Sequence, residues 1–320
     1  MPASMDEVLF FAGSSHPVLA EEVASAAGLR LGRMDLGQFP DGETFVQVHE
    51  TVRGRDVFIM QSIAREPDRY LMELLLIVDA VKRAAARNVI VVIPYFGYGR
   101  QDRRDKPRVP ITAKLVADLL QAAGVKQVVT MDLHTEQLQG FFNIPVDSLY
   151  ARPRLIEALR QNYDVSNLVV ATPDVGSVKL VRAYANELKV GMVIVDKERI
   201  DAFKVRATTV IGDVNGKDVL LADDMCSTAG TLVSAAKACQ EKGARRIFAA
   251  VTHGLFVGDS IEKIEASPIE ALIVSDTVPL NEKAAQCSKV QTTSVASLFG
   301  QAIQCIVTAK SISSVYYCIS

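Results

Sequence analysis

The chain has 320 residues, of which 49% are hydrophobic and 22% are charged, and this composition predicts two folded domains with sizeable cores. The 35 basic and 37 acidic residues leave a formal net charge of −2, which excludes a whole-chain basic field for nucleic acid. The richest apolar run, residues 71–81, contains two acids and is too short to cross a bilayer. Five scattered cysteines without a CxxC pair indicate free thiols. We therefore expect a cytoplasmic protein that binds neither membrane nor nucleic acid.

Short Val- and Ile-rich runs predict nine β-strands, at 8–11, 57–61, 89–93, 128–131, 168–171, 192–195, 218–222, 247–251 and 271–274. Helical periodicity between several of them predicts helices at 70–86, 112–123, 178–188 and 231–242. Such alternation is typical of parallel sheets with helices on both faces. The pattern runs twice, so we predict an α/β protein with domains at 1–150 and 151–307. A tail at 308–320 would pack back on the first domain.

A loop rich in acids and hydroxyls follows the predicted strand at 218–222, at the edge where open α/β sheets bind ligands. Its candidate binding residues are Asp223, Asp224, Ser227, Thr228, Ala229, Gly230 and Thr231. Small residues, hydroxyl donors and a helix N-terminus suit a phosphate, and paired carboxylates suit sugar hydroxyls or a divalent cation. A helix cap after an ordinary acidic turn is the simpler alternative, but the combination favours a phosphosugar site. No Walker A pattern occurs in the sequence, which disfavours a P-loop kinase.

Further polar loops carry a family resemblance over nearly the whole chain. They read QFPDGE at 38–43, YFGYGRQDRRDKPR at 95–108, MDLHTEQ at 131–137, TPDVG at 172–176 and VDKER at 195–199. In this order, and together with DVLLADDMCSTAGT at 218–231, they resemble the ribose-phosphate pyrophosphokinase family. The resemblance implies two phosphoribosyltransferase-like domains, each a mainly parallel sheet flanked by helices.

The resemblance also implies an activity, that of a ribose-phosphate diphosphokinase in nucleotide biosynthesis. Such an enzyme transfers the pyrophosphoryl group of MgATP to the 1-hydroxyl of ribose 5-phosphate, giving 5-phosphoribosyl 1-pyrophosphate and AMP. Mg²⁺ is the implied cofactor. The implied assembly is a homo-oligomer, with dimers built up to a hexamer, and phosphate and ADP are candidate effectors.

By the resemblance, the ATP-binding residues lie in the first-half loops. Phe39 would stack on adenine, while Asp41 and Glu43 would hydrogen-bond its edge. Arg100 and Gln101 would contact the nucleotide from a basic lid loop, in which two closely spaced glycines permit motion. A merely solvated charged loop is the alternative interpretation, and the acids within the loop disfavour a nucleic-acid patch.

The implied metal and catalytic residues follow predicted strands. By the resemblance, His134 contacts ATP and, with Asp174, binds divalent metal directly or through water. Lys197 and Arg199 alternate in an extended segment, so their side chains point to the same side. With Arg100 they would stabilise the transferred pyrophosphoryl group, although a solvated surface pair is the commoner fate of such cations.

The sequence departs from the family pattern at several positions. Ser227 stands where the common class usually carries Asp, and Ser177 replaces an expected glycine. Pro107 and the C-terminal tail also diverge, which predicts a weakened dependence on phosphate. The alternative function is a catalytically silent regulatory subunit of the same family, favoured by Ser227 but disfavoured by the uninterrupted lid loop. A phosphoribosyltransferase that consumes phosphoribosyl pyrophosphate is disfavoured by the first-half nucleotide motifs.

Overall fold

The computed structural model describes residues 5–173, 175–199 and 205–316. Its strands, in chain order, are β1 (Val8–Ala12), β2 (Met34–Gln38), β3 (Thr44–Val48), β4 (Asp56–Met60), β5 (Asn88–Ile93), β6 (Gln127–Met131), β7 (Val146–Leu149), β8 (Leu168–Thr172), β9 (Gly191–Arg199), β10 (Val205–Ile211), β11 (Asp218–Cys226), β12 (Arg246–Gly254), β13 (Ala271–Ser275) and β14 (Val290–Thr293). Its helices are α1 (Pro17–Ala27), α2 (Pro67–Arg83), α3 (Thr112–Ala123), α4 (Arg152–Asn162), α5 (Val178–Leu188), α6 (Gly230–Glu241), α7 (Ser260–Glu265), α8 (Glu282–Gln286), α9 (Ala296–Val307) and α10 (Ser313–Tyr316). All nine predicted strands and all four predicted helices are present. None of the described helices is both long and apolar enough to span a membrane.

The chain divides into two compact units. The first runs to Tyr150 and also contains the residues from Val295 on, while the second is Ala151–Ser294. The sequence pattern predicts 307 as the end of the second domain, whereas α9 belongs to the first unit because it packs against α1. The packing is close, since a β-carbon built on Gly300 would lie 2.6 Å from that of Ala26.

Five parallel strands form the main sheet of the first unit, in the order β1-β4-β5-β6-β7. Strands β4, β5 and β6 are almost wholly buried, as expected where helices cover both faces of a parallel sheet. Strands β2 and β3 form a separate antiparallel hairpin. The hairpin was not predicted because only partly buried and exposed residues alternate along it, so no apolar run marks it.

Seven strands form the sheet of the second unit, in the order β10-β9-β8-β11-β12-β13-β14. All pairs are parallel except β10 with β9. The sequence predicts that Lys197 and Arg199 follow a strand, but they lie within β9 because pairing with β10 extends it. Asp223 and Asp224 likewise lie inside β11 rather than at its end, since pairing with β12 continues to Cys226.

The same turn precedes one central strand in each unit. It reads VRGRD at 52–56 before β4 and VNGKD at 214–218 before β11. The glycine takes a left-handed φ in both, 70° at Gly54 and 68° at Gly216, a conformation that costs other residues about 1–2 kcal/mol. In both turns the N–H of the fourth residue donates to the carbonyl of the first, at 3.0 and 3.1 Å. The two units therefore share local sequence and local geometry at this edge of their sheets.

A carboxylate–arginine pair links each of these turns to the next strand along the sheet. Asp56 accepts from Nε of Arg87 at 2.8 Å, and Asp218 accepts from Nε of Arg245 at 2.7 Å. Asp218, whose side chain is 0% exposed, also accepts from Arg246 at 2.6 Å. Burial raises the pKa of Asp218, but the hydrogen bonds from the two arginines outweigh it and leave the pKa below its usual value. The buried charge is stable because both guanidinium groups compensate it.

Asp218→Asn should lower the free energy of unfolding by about 2–4 kcal/mol, since two guanidinium groups lose a buried partner charge. Because the folded-state pKa is depressed, this stabilisation is complete above the unfolded-state pKa of about 4. It is lost as the pH falls through the folded-state value. Urea unfolding measures both effects, and the gap between wild type and variant should narrow below about pH 4.

Asp213→Asn is the matched control for this buried ion pair. Asp213 pairs with Lys217 at 3.1 Å, but its side chain is 70% exposed. Exposed pairs of this kind contribute less than about 1 kcal/mol. Equal destabilisation by the two substitutions would show that the buried position of Asp218 has no special weight.

Candidate functional site

The segment of acids and hydroxyls, residues 223–231, lies at the carboxyl edge of the second sheet, where it runs from the last residues of β11 into the first turn of α6. Asp223 and Asp224 are half-buried, whereas Thr228 is exposed. Helix α6 begins at Gly230, so the N–H groups of its first turn are available to an anion at this edge. Ala229 has a left-handed φ of 59°, a strain of about 1–3 kcal/mol that proteins retain mainly at functional sites.

Backbone hydrogen bonds fix this loop against the segment that follows β12. The N–H of Leu255 donates to the carbonyl of Cys226 at 2.9 Å, and the N–H of Val257 donates to the carbonyl of Ser227 at 3.0 Å. Cys226 is buried, and burial raises the pKa of its thiol to about 12. The thiol therefore stays protonated and packs as a small apolar group rather than acting as a nucleophile. Backbone hydrogen bonds thus hold this segment in place, and its polar side chains are its acids and hydroxyls.

A side-chain hydrogen bond that the sequence did not predict reaches this loop from the neighbouring strand. Oγ of Ser177, in the turn after β8, donates to Oδ1 of Asp223 at 2.7 Å. The N–H of Asp224 donates to the same oxygen at 3.0 Å. The sequence identifies Ser177 only as an unusual residue in a tight turn. Its partner Asp223 is 46 residues away in the chain, and the two meet because β8 and β11 are paired in the sheet.

The first unit has a residue at the position that corresponds to Asp223. Gln61 follows Asp56 by the same five residues that separate Asp223 from Asp218. Gln61 is 0% exposed, and its Oε1 accepts from the N–H of Ser15 at 3.1 Å. The first unit therefore has a buried amide, Gln61, at the position where the second unit has a half-buried carboxylate, Asp223.

A buried carboxylate completes the polar network around Gln61. Glu73 of α2 is 2% exposed and accepts from Nε2 of Gln61 at 2.7 Å. Ser14 donates to it from its N–H at 2.5 Å and from its Oγ at 2.8 Å. The position that corresponds to Asp223 is thus occupied by a packed network of the protein's own side chains. The sequence indicates Glu73 only as an interruption of an apolar run.

The predicted adenine-binding residues lie at the tip of the hairpin formed by β2 and β3. Phe39 is 52% exposed, and its ring lies 5.2 Å from that of Phe45. Asp41 accepts from the N–H of Glu43 at 3.2 Å, which closes the turn. Both acidic side chains are exposed. An aromatic face and two carboxylates are therefore presented together on one exposed turn.

The basic loop begins at the carboxyl end of β5 and leads to α3. Arg100 and Gln101 are exposed, and the Gln101 side chain accepts from the hydroxyl of Thr112 at the start of α3. On the other side of Arg100, two residues earlier in the chain, the Tyr98 hydroxyl donates to Asp68. This hydrogen bond, together with burial, raises the pKa of Tyr98 to about 12. Contacts within the first unit therefore hold the base of the loop on both sides of Arg100.

His134 lies just after β6, as the sequence predicts, and is exposed. The structure brings it close to the basic loop, since a β-carbon built on Gly99 would lie 3.9 Å from that of His134. Thr135 strengthens this contact by donating to Asp102 at 3.0 Å. The predicted nucleotide residues Arg100 and His134 therefore share one edge of the first sheet.

The other histidines have structural or exposed roles. His16 caps α1, with Nδ1 accepting from the N–H of Leu19 at 3.3 Å. His49 pairs with exposed Asp35 at 2.8 Å. His253 lies within β12, is 1% exposed, and its Nδ1 is 2.9 Å from the hydroxyl of Thr277. His253 is therefore part of the packed interior of the second unit.

Three predicted site residues are described only in part or not at all. Asp174 lies outside the described residues, and for Lys197 and Arg199 only the strand is described. Within the described ranges, no group of three or more His, Cys, Asp or Glu residues is placed to hold a metal ion.

Comparison with known proteins adds independent evidence. The family model for the N-terminal domain of ribose phosphate pyrophosphokinase matches residues 8–124, and that for the phosphoribosyl synthetase-associated domain matches 202–317. A ribose-phosphate pyrophosphokinase of Porphyromonas gingivalis is 47% identical over 307 residues, covering 96% of this chain and 97% of the relative. One of Chlorobaculum tepidum is 48% identical over 305 residues, covering 95% of this chain and 94% of the relative. The crystal structure of phosphoribosylpyrophosphate synthetase from Mycobacterium smegmatis matches with a TM-score of 0.88 at 35% identity, covering 93% of this chain and 98% of that one.

Two mainly parallel sheets flanked by helices, with polar loops at their carboxyl edges, define a protein of two phosphoribosyltransferase-like domains. Within that class, the relatives that match this chain over more than 90% of its length, in sequence and in structure, are ribose-phosphate pyrophosphokinases, also called phosphoribosylpyrophosphate synthetases. The chain belongs to the ribose-phosphate pyrophosphokinase family. The family and fold predicted from the sequence are therefore confirmed.

Gly97→Ala should destabilise the first unit by about 1–3 kcal/mol, because overpacking forces backbone shifts. A β-carbon at Gly97 would lie 2.5 Å from the backbone oxygen of Ile63. Gly140→Ala is the matched control, since a β-carbon there meets no described atom within 4 Å. Thermal unfolding followed by circular dichroism compares the two variants. Equal melting temperatures would refute the close approach of these two loops.

Proposed function

We propose that the protein transfers the pyrophosphoryl group of MgATP to the 1-hydroxyl of ribose 5-phosphate, giving 5-phosphoribosyl 1-pyrophosphate and AMP. Similarity to ribose-phosphate pyrophosphokinases over 96% of the chain supports this activity. The observation that carries the proposal is the loop at 223–231, which offers carboxylates, hydroxyls and a helix N-terminus at one sheet edge. The counterpart position of the first unit, Gln61, is buried and hydrogen-bonded within the protein, which supports placing the sugar phosphate in the second unit.

The sugar phosphate would bind in the second unit. Asp223 and Asp224 would accept hydrogen bonds from the ribose hydroxyls, since ionised carboxylates make strong acceptors. The hydroxyls of Thr228 and Thr231 and the N–H groups of Ala229 and Gly230 would donate to the phosphate. Ser227 would add a neutral hydroxyl to the same site.

ATP would bind through residues of the first unit. Phe39 offers an exposed ring to adenine, and Asp41 and Glu43 offer acceptors to its amino group. Arg100, Gln101 and His134 would contact the nucleotide from the loops after β5 and β6, where Arg100 supplies positive charge.

The chemistry proposed is an in-line displacement at the β-phosphorus of ATP. The 1-hydroxyl oxygen of the sugar forms a bond to that phosphorus, and the bond to the oxygen shared with the α-phosphate breaks. AMP leaves with the bonding pair, and the hydroxyl proton is released. Positioning and charge neutralisation dominate such reactions, and we assign this role to Lys197, Arg199 and Arg100.

The proposed metal-binding residues are His134 and Asp174. An imidazole and a carboxylate, completed by phosphate oxygens and water, suit Mg²⁺, which keeps much of its hydration and is usually held by few protein ligands. When bound, Mg²⁺ neutralises phosphate charge. Besides any contact to the metal, His134 would orient the nucleotide from the edge of β6.

Assembly and regulation are proposed from the family resemblance. The proposed assembly is a homo-oligomer in which dimers build up to a hexamer, and phosphate and ADP would act as effectors. Arg53 and Arg104, both exposed, are candidate contacts for such an anion. Because Pro107 and the tail diverge, we propose a weakened dependence of the activity on phosphate.

Phosphorus NMR of the purified protein with MgATP and ribose 5-phosphate tests the activity. AMP and phosphoribosyl pyrophosphate should appear only when both substrates are present, because the sugar hydroxyl is the attacking group. ADP in place of AMP would mean transfer of the γ-phosphoryl group and would contradict the proposal. No turnover, with or without phosphate, would favour the silent regulatory subunit.

Lys197→Ala should lower kcat by about 100-fold or more while changing the affinity for ATP little, as expected for a contact made in the transition state alone. Steady-state kinetics with each substrate varied separately measures this split. Glu198→Ala, at the intervening position of β9, should leave kcat within about 3-fold, since successive strand residues face opposite sides. A loss confined to KM in the Lys197 variant would refute the assigned role.

A further inference from the structure

Ser177 makes a hydrogen bond that the proposed chemistry does not yet use. It occupies the N-cap position of α5, where a serine hydroxyl ordinarily accepts from an N–H of the first helical turn. Among the described residues, however, it makes no side-chain capping hydrogen bond. Its hydroxyl instead donates to Oδ1 of Asp223 at 2.7 Å. The Ser177 hydroxyl thus contacts the 223–231 segment rather than the first turn of α5.

The bond restricts the Asp223 side chain before any ligand arrives. Oδ1 of Asp223 receives two donors, the Ser177 hydroxyl at 2.7 Å and the N–H of Asp224 at 3.0 Å. An aspartate carboxylate otherwise rotates broadly about its last side-chain torsion. Donors from two different elements limit this rotation, so less side-chain freedom is lost when a ligand binds.

The first unit has a comparable contact to Gln61, the residue that corresponds to Asp223, but a backbone group makes it. There the turn after β1 holds Gln61 through a backbone N–H, that of Ser15. Any residue except proline can supply such a bond. In the second unit a side-chain hydroxyl supplies the contact, so a single substitution removes it without altering the backbone.

We propose that Ser177 is a positioning residue for sugar-phosphate binding, and that its hydroxyl holds the Asp223 carboxylate in the orientation that accepts from the ribose hydroxyls. The inference rests on the proposed function of the 223–231 loop. Ser177 acts through Asp223, so its effect is on the affinity for the sugar phosphate, with ATP affinity and the chemical step unaffected.

The test compares Ser177→Ala, Ser177→Thr and the wild type in the full-length protein. Calorimetric titration with ribose 5-phosphate alone measures its Kd, and steady-state kinetics measures kcat and both KM values. Ser177→Ala should raise the Kd and KM for ribose 5-phosphate about 3- to 10-fold, as expected when a side chain must be ordered on binding. The KM for ATP and kcat should stay within about 2-fold. Ser177→Thr, which keeps the hydroxyl, should restore the affinity.

Ser14→Ala is the matched control, because it removes a serine-to-carboxylate hydrogen bond from the first unit. Its partner Glu73 is 2% exposed, so this variant should lose thermal stability without a change in the Kd for ribose 5-phosphate.

Three results would overturn the inference. They are an unchanged Kd in Ser177→Ala, a Ser177→Thr variant as weak as the alanine variant, and an equal loss of affinity in Ser14→Ala. A wild type that binds no ribose 5-phosphate would instead contradict the proposed function itself.

Discussion

Parallel pairing of the central strands is the constraint on which the functional loops depend. In the second unit β8, β11 and β12 run side by side in register, so their carboxyl ends share one edge. The Ser177–Asp223 hydrogen bond, and the bonds that hold the loop to the segment after β12, exist because of this pairing. At the opposite edge, the buried Asp218 carboxylate joins the start of β11 to the arginines that precede and begin β12.

The two units show how one fold supports different tasks. Both use the glycine turn and the aspartate–arginine pair at the amino end of a central strand. At the carboxyl end they diverge, because Gln61 is buried in a network with Glu73 while Asp223 remains half-buried in an acidic loop. A buried, fully bonded amide stabilises a unit, whereas a partly exposed carboxylate is available to a ligand. The difference between these two residues supports the proposal that the sugar phosphate binds in the second unit.

Much of the fold could be predicted because apolar runs mark buried parallel strands. All nine predicted strands are present, since strands covered on both faces are continuously apolar. The β2–β3 hairpin and the edge strands β7, β10 and β14 were not predicted. For the hairpin and for β7 and β14, partial burial leaves no such run. Strand ends were wrong where a neighbour extended the pairing, as for β9 and β11. The local sequence does not show where pairing ends, because the length of a strand also depends on the neighbouring strand with which it pairs.

The sequence alone determined the alternation of strands and helices, the family, and the residue types of each loop, since these are properties of local order along the chain. It placed Asp223, Asp224 and His134 at strand ends or beyond, where ligands bind. Only the tertiary structure decided which side chains meet. It directed the Ser177 hydroxyl to Asp223, brought Gly99 close to His134, and joined α9 to the first unit. These contacts join residues far apart in sequence, and they form only when pairing and packing bring separate elements together.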